Sequence, residues 1–526
     1  MAAEPGSSVA AVILLAAGEG TRMKSRTSKL LHTLSGRSML SWALTAAKGV
    51  HPRQLVVVVG YQRDQVEAHL REIAPDALQA VQDEPRGTGH AVSCGLDALG
   101  AVSGEIVVTY GDVPLLSGET LRRLVAAHRQ AGNAVTVMTA VVEDPTGYGR
   151  VIRSGDDVVG IVEHRDADDA QRAISEINSG IYVFDADVLR EGLAHLTPNN
   201  NQQQLYLTDV LGYARASGHR VGAYVEPDVW QTEGVNDRVQ LSRLAAEMNR
   251  RILERWMREG VTVIDPATTW VEAGVSIGAD TELWPGTILR GATTIATGAV
   301  IGPDTRLTDV EVGEGAEVVR SEATLAVIGP KANVGPFSFI RPGTQLGEAG
   351  KIGAFVEAKN AQIGPGAKVP HLTYCGDAEI GEGSNIGAGT IFANYDGTNK
   401  HRTRVGKHAF IGSDSVVVAP VVIGDDAFVA AGSVVTHDVA SEELAVARGR
   451  QRNIPGWVGP YRERTAQEHE KNVAAAGQTA ADTPGSPQTP SSEGTTSGSG
   501  AITGHDSTLT AAVGKAHGAT TLTEKE

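Results

Sequence analysis

An aliphatic side chain returns at every sixth residue through the second half of this chain. Ile277, Leu283, Leu289, Ile295, Ile301 and Leu307 lie six apart; the register resumes at Ile328, Val334 and Ile340, at Ile380 and Ile386, and at Val405, Ile411, Val417, Ile423, Val429 and Val435. An amphipathic helix repeats at about 3.6 residues and an alternating strand at two, so neither produces this period. A hexapeptide repeat in which glycine follows several of the aliphatics places one inward side chain on each flat face of a parallel β-helix, where every coil buries its aliphatics on the next. The period slips once: Phe392 to Val405 spans 13 residues where two repeats take 12, and ANYDGTNKHRTR between them lacks the pattern. The spacing predicts a loop leaving the prism there, and function concentrates on loops carried by a rigid scaffold.

Upstream the pattern differs. From Ala11 to about Val225 the runs AVILL, LVVVVG, EIVVTYGD, AVTVMTAVV and GIYVFDA alternate with polar or helical stretches, which predicts an α/β domain with a mainly parallel, Rossmann-like sheet. Leu241, Leu244, Ala245, Met248, Ile252 and Trp256 then recur at spacings of three and four, with Glu247/Arg251 and Glu254/Arg258 as pairs four apart. They predict an amphipathic helix capped by Asp237. The expected organisation is an α/β domain over 1–238, a linker helix over 239–259, a β-helix over 260–460 and a tail over 461–526. From about Gln467 the tail is rich in Ala, Thr, Gly, Ser and Pro, too poor in apolar surface to offset its chain entropy, and is expected to be disordered.

Composition removes several classes of function. The 46 basic and 62 acidic residues leave a net charge of -16, which supplies no footprint for a nucleic acid backbone. Cys94 and Cys375, one in each half, provide neither a disulfide framework nor a CxxC zinc site, and fit a reducing cytoplasm. The apolar run Val9 to Ala17 follows Glu4 rather than a basic segment and leads into Gly18 and Gly20, so it reads as a buried strand and not a signal peptide. No stretch approaches the roughly 20 apolar residues of a membrane span. A soluble cytoplasmic protein without nucleic acid or membrane partners is the expectation.

Chemistry-bearing residues gather in two places. The loop AAGEGTRM after the first strand lets backbone N–H groups approach a phosphate through Gly18 and Gly20, although a tight strand-to-helix turn needs the same glycines. Arg22 and Lys29 add cations suited to charge on a transferred phosphoryl group. Asp112 follows the strand EIVVTYG, where α/β sheets place ligands, and suits either a turn cap or a ligating carboxylate. In the β-helix, PHLTYCGD breaks the hexad and sets His371 near Tyr374. A lone histidine is more often packed or surface-bound than catalytic, but Arg341, Lys359, Asn394, Tyr395 and Lys400 gather anion-binding groups on the coils around it in an otherwise acidic chain.

LAAGEGTRM with Lys29, then GTGHA, YGDVPLL, GYGR, NSGIY and EGVND, resembles the sugar-nucleotide pyrophosphorylases. RPG at Arg341, VEAKNA at Lys359, HLTY at His371, NIGAGT at Asn385 and NYDGTNK at Asn394 extend the likeness. To about Trp457 the chain resembles the bacterial GlmU family, bifunctional UDP-N-acetylglucosamine pyrophosphorylases and glucosamine-1-phosphate N-acetyltransferases with a left-handed β-helix. The resemblance implies that Leu15, Ala16, Ala17, Gly18, Gln82, Gly87, Thr88 and Tyr110 hold the nucleotide and that Gly149, Glu163 and Asn178 grip the sugar. Asp112 and Asn236 would bind Mg²⁺, though Asn236 also suits a helix cap shared with Asp237. The sugar 1-phosphate would attack UTP with Lys29 and Arg22 carrying charge.

For the second reaction the resemblance implies His371 as general base on the amine of glucosamine 1-phosphate as it attacks acetyl-CoA. Glu357 would orient His371, and the Tyr395 N–H would stabilise the oxyanion. Arg341, Lys359 and Lys400 would bind the phosphate, and Tyr374, Asn385 and Asn394 the sugar. Ala388, Ser413, Ala431 and Arg448 would contact coenzyme A, although any hexad favours small residues at 413 and 431. A homotrimer is implied, with Trp457 serving a neighbouring subunit. Pro370, where the family has glycine, and Phe392 depart from the pattern. Two other readings compete: a pyrophosphorylase with an inert β-helix, which needs none of His371, Lys359 or NYDGTNK, and a non-catalytic scaffold, which would not need Asp112, Asn236 and Lys29 together.

Overall fold

The computed structural model describes residues 8–155 and 157–481. Its N-terminal sheet runs in the order Val221–Val225, Val135–Val141, Glu176–Asp185, Glu105–Tyr110, Ala11–Ala16, Gln54–Val59 and Leu78–Val81. All neighbours are parallel except Glu176–Asp185, which runs against both of its partners. The apolar runs take these positions because helices cover both faces, so strands such as Ala11–Ala16 are buried along their whole length. A hairpin of Arg150–Ser154 and Asp157–Val162 branches from Glu176–Asp185.

The linker helix spans Arg238–Arg258, and its Asp237 cap accepts from the Val239 and Gln240 N–H groups at 2.9 Å. Leu244, Met248, Ile252 and Trp256 are buried, with Leu241 and Ala245 partly so. The expected pairs form, Glu247 with Arg251 at 2.7 Å and Glu254 with Arg258 at 2.6 Å. Asn249 stitches the helix to the first coil: its amide donates to the Thr269 carbonyl at 2.8 Å and accepts from the Val271 N–H at 3.0 Å.

Beyond it the chain winds into three parallel sheets of 11, 10 and 9 short strands, here the first, second and third faces. Every inward aliphatic predicted from the period is buried, none more than 7% exposed. Small hydroxyl residues fill the corners and satisfy the backbone there, as when Thr293 donates to the Arg290 carbonyl and Ser415 to that of Gly412, both at 2.7 Å. The predicted loop leaves between Ile391–Ala393 and Thr403–Val405. Phe392 lies wholly buried in the prism core, away from the surface.

A second unit begins at Arg450. Disorder was expected from 461, but Val458–Ala481 is helical. Its first part, RERTAQEHEKNVAAA, is built from good helix formers, and the Pro/Ser/Gly-rich composition begins only later. Trp457 stacks on Tyr461 with ring centroids 4.7 Å apart. The rest of the tail lies outside the described residues.

Candidate active sites

A cleft of about 290 Å³ opens at the carboxyl ends of Ala11–Ala16 and Glu105–Tyr110. It gathers Leu15, Ala16, Ala17, Gly18, Lys29, Gln82, Gly87, Thr88, Tyr110 and Asp112. Gly20 has φ +62°, and a Cβ there would lie 2.7 Å from that of Lys29, so the turn requires glycine to bring Lys29 in. The Lys29 ammonium donates to the Asp112 carboxylate, with the two side chains 10% and 20% exposed. Arg22 is not drawn in; it stays exposed on the turn Thr21–Met23.

The sugar-side residues form a second cluster. The Gly149 carbonyl accepts from the Asn178 N–H at 2.9 Å, and a Cβ on Gly149 would lie 3.2 Å from the Glu163 carboxylate. Burial, then Asp166 and Asp209, pushes the Glu163 carboxyl above its ordinary range. Tyr110 links the clusters: burial, Asp112 and Glu163 all raise its phenol. Asn236 is held beside the cleft because the Val235 N–H donates to the Asp112 carbonyl at 2.9 Å, while the Asn236 N–H donates to Gln240 on the linker helix at 2.7 Å.

The sequence reading missed Gln204, which also lines the cleft. The segment Gln204–Leu207 packs on Gly87–Gly89: the Gly89 N–H donates to the Leu205 carbonyl at 2.8 Å, and the Leu207 N–H to the Thr88 hydroxyl at 3.1 Å. Thr88 and Leu207 are 119 residues apart, so no local pattern announces the contact.

In the β-helix, Arg341 and Lys359 stack in one column of the second face, and Glu357 and Tyr374 pair in register beside them. Lys400 on the loop approaches Lys359 closely enough that its charge, and then that of Arg341, holds the Lys359 ammonium below its usual range. Cations crowd together in this way around a place for an anion. Glu357 accepts from Arg341 at 2.7 Å; among the described residues it makes no hydrogen bond to His371.

His371 is exposed at the edge between the first and second faces, at the end of Lys368–His371. Along that edge the coils are bonded in succession. The His371 carbonyl accepts from Gly389 at 3.3 Å, that of Ala388 from Asp414 at 2.7 Å, and that of Ser413 from Gly432 at 2.8 Å. The Arg448 guanidinium closes the run on the Ala431 carbonyl at 2.7 Å. Asn385 lies on the first face, in register with Lys368. Pro370 occupies the strand before His371, and its carbonyl leaves no room for a Cβ on Gly353 below.

The loop has its own frame. The Asp396 carboxylate accepts from the Thr398 and Asn399 N–H groups at 2.8 and 2.6 Å and lies 2.7 Å from His401 Nε2, which together hold it at about 2. The Tyr395 hydroxyl donates to the Gly397 carbonyl at 2.6 Å, leaving its ring exposed.

The nucleotidyl transferase family matches residues 11–237, and bacterial transferase hexapeptide repeats match residues 402–437. The bifunctional protein GlmU of Paenarthrobacter aurescens is 56% identical over 90% of this chain and 96% of its own length. That of Streptomyces avermitilis is 54% identical over 89% and 97%, and that of Corynebacterium aurimucosum 53% over 91% and 98%. The chain belongs to the GlmU family. Like the GlmU proteins it is a bifunctional transferase with uridylyltransferase and acetyltransferase activities, and its substrates include a nucleotide and acetyl-CoA. Among the described residues no helix is long and apolar enough to cross a membrane.

Proposed function

We propose that the two sites act in succession on one sugar, acetylating glucosamine 1-phosphate at the β-helix and then coupling N-acetylglucosamine 1-phosphate to UTP at the N-terminal cleft. The product, UDP-N-acetylglucosamine, supplies peptidoglycan and other envelope glycans. The observation that carries the reading is the edge joining His371, through residues 388, 413 and 431, to Arg448, with the Arg341, Lys359 and Lys400 cluster on the adjoining face.

At that edge His371 takes a proton from the sugar amine as its nitrogen attacks the thioester carbonyl. The carbon–sulfur bond breaks and coenzyme A leaves as the thiol. Arg341, Lys359 and Lys400 hold the phosphate, while Tyr374, Asn385 and Asn394 meet the sugar. Glu357 holds the Arg341 guanidinium in place for the phosphate, and the Tyr395 N–H meets the tetrahedral oxyanion. Ala388, Ser413, Ala431 and Arg448 bind the acyl donor.

In the cleft, a phosphate oxygen of the sugar attacks the α-phosphorus of UTP, and pyrophosphate leaves with the bridging oxygen. Leu15 to Gly18, Gln82, Gly87, Thr88 and Tyr110 place the nucleotide, and Gly149, Glu163 and Asn178 the sugar. Lys29 and Arg22 balance developing charge; Arg22 must swing inward to do so. Asp112, and Asn236 next to the Val235 N–H that bonds the Asp112 carbonyl, would hold Mg²⁺ through a carboxylate and an amide oxygen, hard donors suited to it, and the carboxylate already holds a cation in the Lys29 ammonium. The chemistry such an ion would supply is neutralisation of phosphate charge.

The enzyme acts in the cytoplasm as a homotrimer, a state with which hexapeptide prisms are compatible, with Trp457 reaching a neighbouring copy. The test is a mass-spectrometric assay with glucosamine 1-phosphate, acetyl-CoA, UTP and Mg²⁺, each omitted in turn. His371→Ala is expected to lose acetyl transfer by about 10²-fold or more while keeping uridylyl transfer, and Asp112→Ala to do the reverse. Nucleotide sugar formed only from preacetylated substrate would reduce the β-helix to a scaffold.

A further inference from the structure

Asn360, Asp377 and Asn394 stand 17 residues apart, one to a coil, on the edge between the second and third faces. Asp377 Oδ1 accepts from the Asn360 amide at 2.6 Å, and Oδ2 from the Asn394 amide at 2.5 Å. A carboxylate can only accept, so both amides must turn their NH₂ groups toward it. The orientation of Asn394, which an uncharged neighbour would leave free to flip, is therefore fixed by charge. Asn394 is 6% exposed, yet its Oδ1 makes no hydrogen bond among the described residues and is not sealed in the interior. That oxygen is what Asn394 offers outward.

Asp377 also clasps the loop. Its side chain holds Asn394, where the loop leaves the prism, and its carbonyl accepts from the Thr403 N–H, where the loop returns, at 3.2 Å. Its own N–H donates to the Lys359 carbonyl at 3.0 Å, tying the clasp to the cation cluster. The carboxylate lies close enough to Lys359 for their charges to interact, and an anion beside the cation cluster opposes an incoming phosphate, so a neutral side chain would serve better if packing were its only task.

We propose that Asp377 is a positioning residue that sets donor specificity at the acetyl-transfer site: by locking Asn394, it presents the sugar with an acceptor oxygen alone, which an N–H or O–H of the substrate must meet. The inference rests on the reading of this site as the one that binds glucosamine 1-phosphate.

Asp377→Asn tests it. The new amide offers one oxygen where the carboxylate offered two, so it cannot accept from both Asn360 and Asn394; whenever it accepts from Asn360 it turns its NH₂ on Asn394, which then flips and faces the substrate with a donor. The double variant D377N/N360D moves the carboxylate to the far side of the ladder: at position 360 it accepts from the NH₂ of the amide at position 377, which turns that amide's oxygen to Asn394 and locks it as before, with the total charge unchanged and Asn394 itself untouched. In Asp377→Asn the KM for glucosamine 1-phosphate is expected to rise several-fold, with the KM for acetyl-CoA within about twofold and uridylyl transfer unchanged. The double variant is expected to return to within about threefold of the parent. An unaltered sugar KM in D377N, or both KM values rising together with no recovery in the double variant, overturns the proposal. If the parent enzyme itself does not acetylate glucosamine 1-phosphate, the site reading fails and the inference with it; an active parent with an indifferent D377N defeats the inference alone.

Discussion

A side chain at position 20 has no room. With φ +62° and the Lys29 Cβ 2.7 Å from where its own would lie, Gly20 both turns the loop and seats the lysine. Gly20→Ala costs about 1–2 kcal/mol in backbone conformation alone and pushes Lys29 off Asp112. Uridylyl transfer is expected to fall at least about tenfold with acetyl transfer intact, as measured by separate assays of each half-reaction. In the second site, Asp396 is held at about 2 against an ordinary 3.8. A depressed carboxyl stabilises the native loop above its unfolded value and loses that contribution as pH falls through its folded value. The Thr398 and Asn399 amides are therefore expected to lose exchange protection between about pH 3.8 and 2, and Asp396→Asn to abolish that pH dependence.

Among elements, the coils were legible because each repeats the same demand: one inward aliphatic per face, with no alternative burial for Leu283, Ile301 or Val417. The linker helix was legible for the same reason, through its stripe and cap. What escaped notice has no such period. Gln204 reaches the cleft across a contact that only the folded sheet creates, and the 17-residue ladder through Asp377 has no meaning until the length of a coil is known. The helix Val458–Ala481 was misjudged because its helix-forming start was averaged with a Pro/Ser-rich continuation. The motifs name residues such as Gly18, Lys29, Thr88 and Asp112 that the fold brings to one cleft, but they do not announce pairings: Glu357, expected to orient His371, bonds to Arg341. The helix also yields a stability test. Asn249→Ala leaves the Thr269 carbonyl and Val271 N–H buried without partners, a cost of about 1–3 kcal/mol for each, to be read as a lower denaturation midpoint.

For the whole molecule, one apolar core runs from Met23, Leu34, Met39, Leu115 and Val235, through the linker helix, to the last coils. The N-terminal domain and the prism are built on this one foundation. Against a net charge of -16, Arg341, Lys359 and Lys400 form a local island of the opposite sign. Raising salt from about 0.01 to 0.15 M shortens the screening length from about 30 to about 8 Å, so the KM for the sugar phosphate is expected to rise several-fold. The same titration on Lys359→Gln should give a shallower rise, and an equal slope would mean that the cluster does not bind the phosphate.

The edge from His371 to residue 432 is also a ruler. Each coil adds one strand spacing of about 4.8 Å, so three bonded steps set off about 14 Å in units that no side-chain change can subdivide. With the acyl donor lying along this edge, as proposed, a carrier with a longer or shorter arm could not be accommodated by a side-chain change alone. The prism would have to gain or lose an entire turn, which makes the length of the carrier a property of the coil count rather than of any one residue.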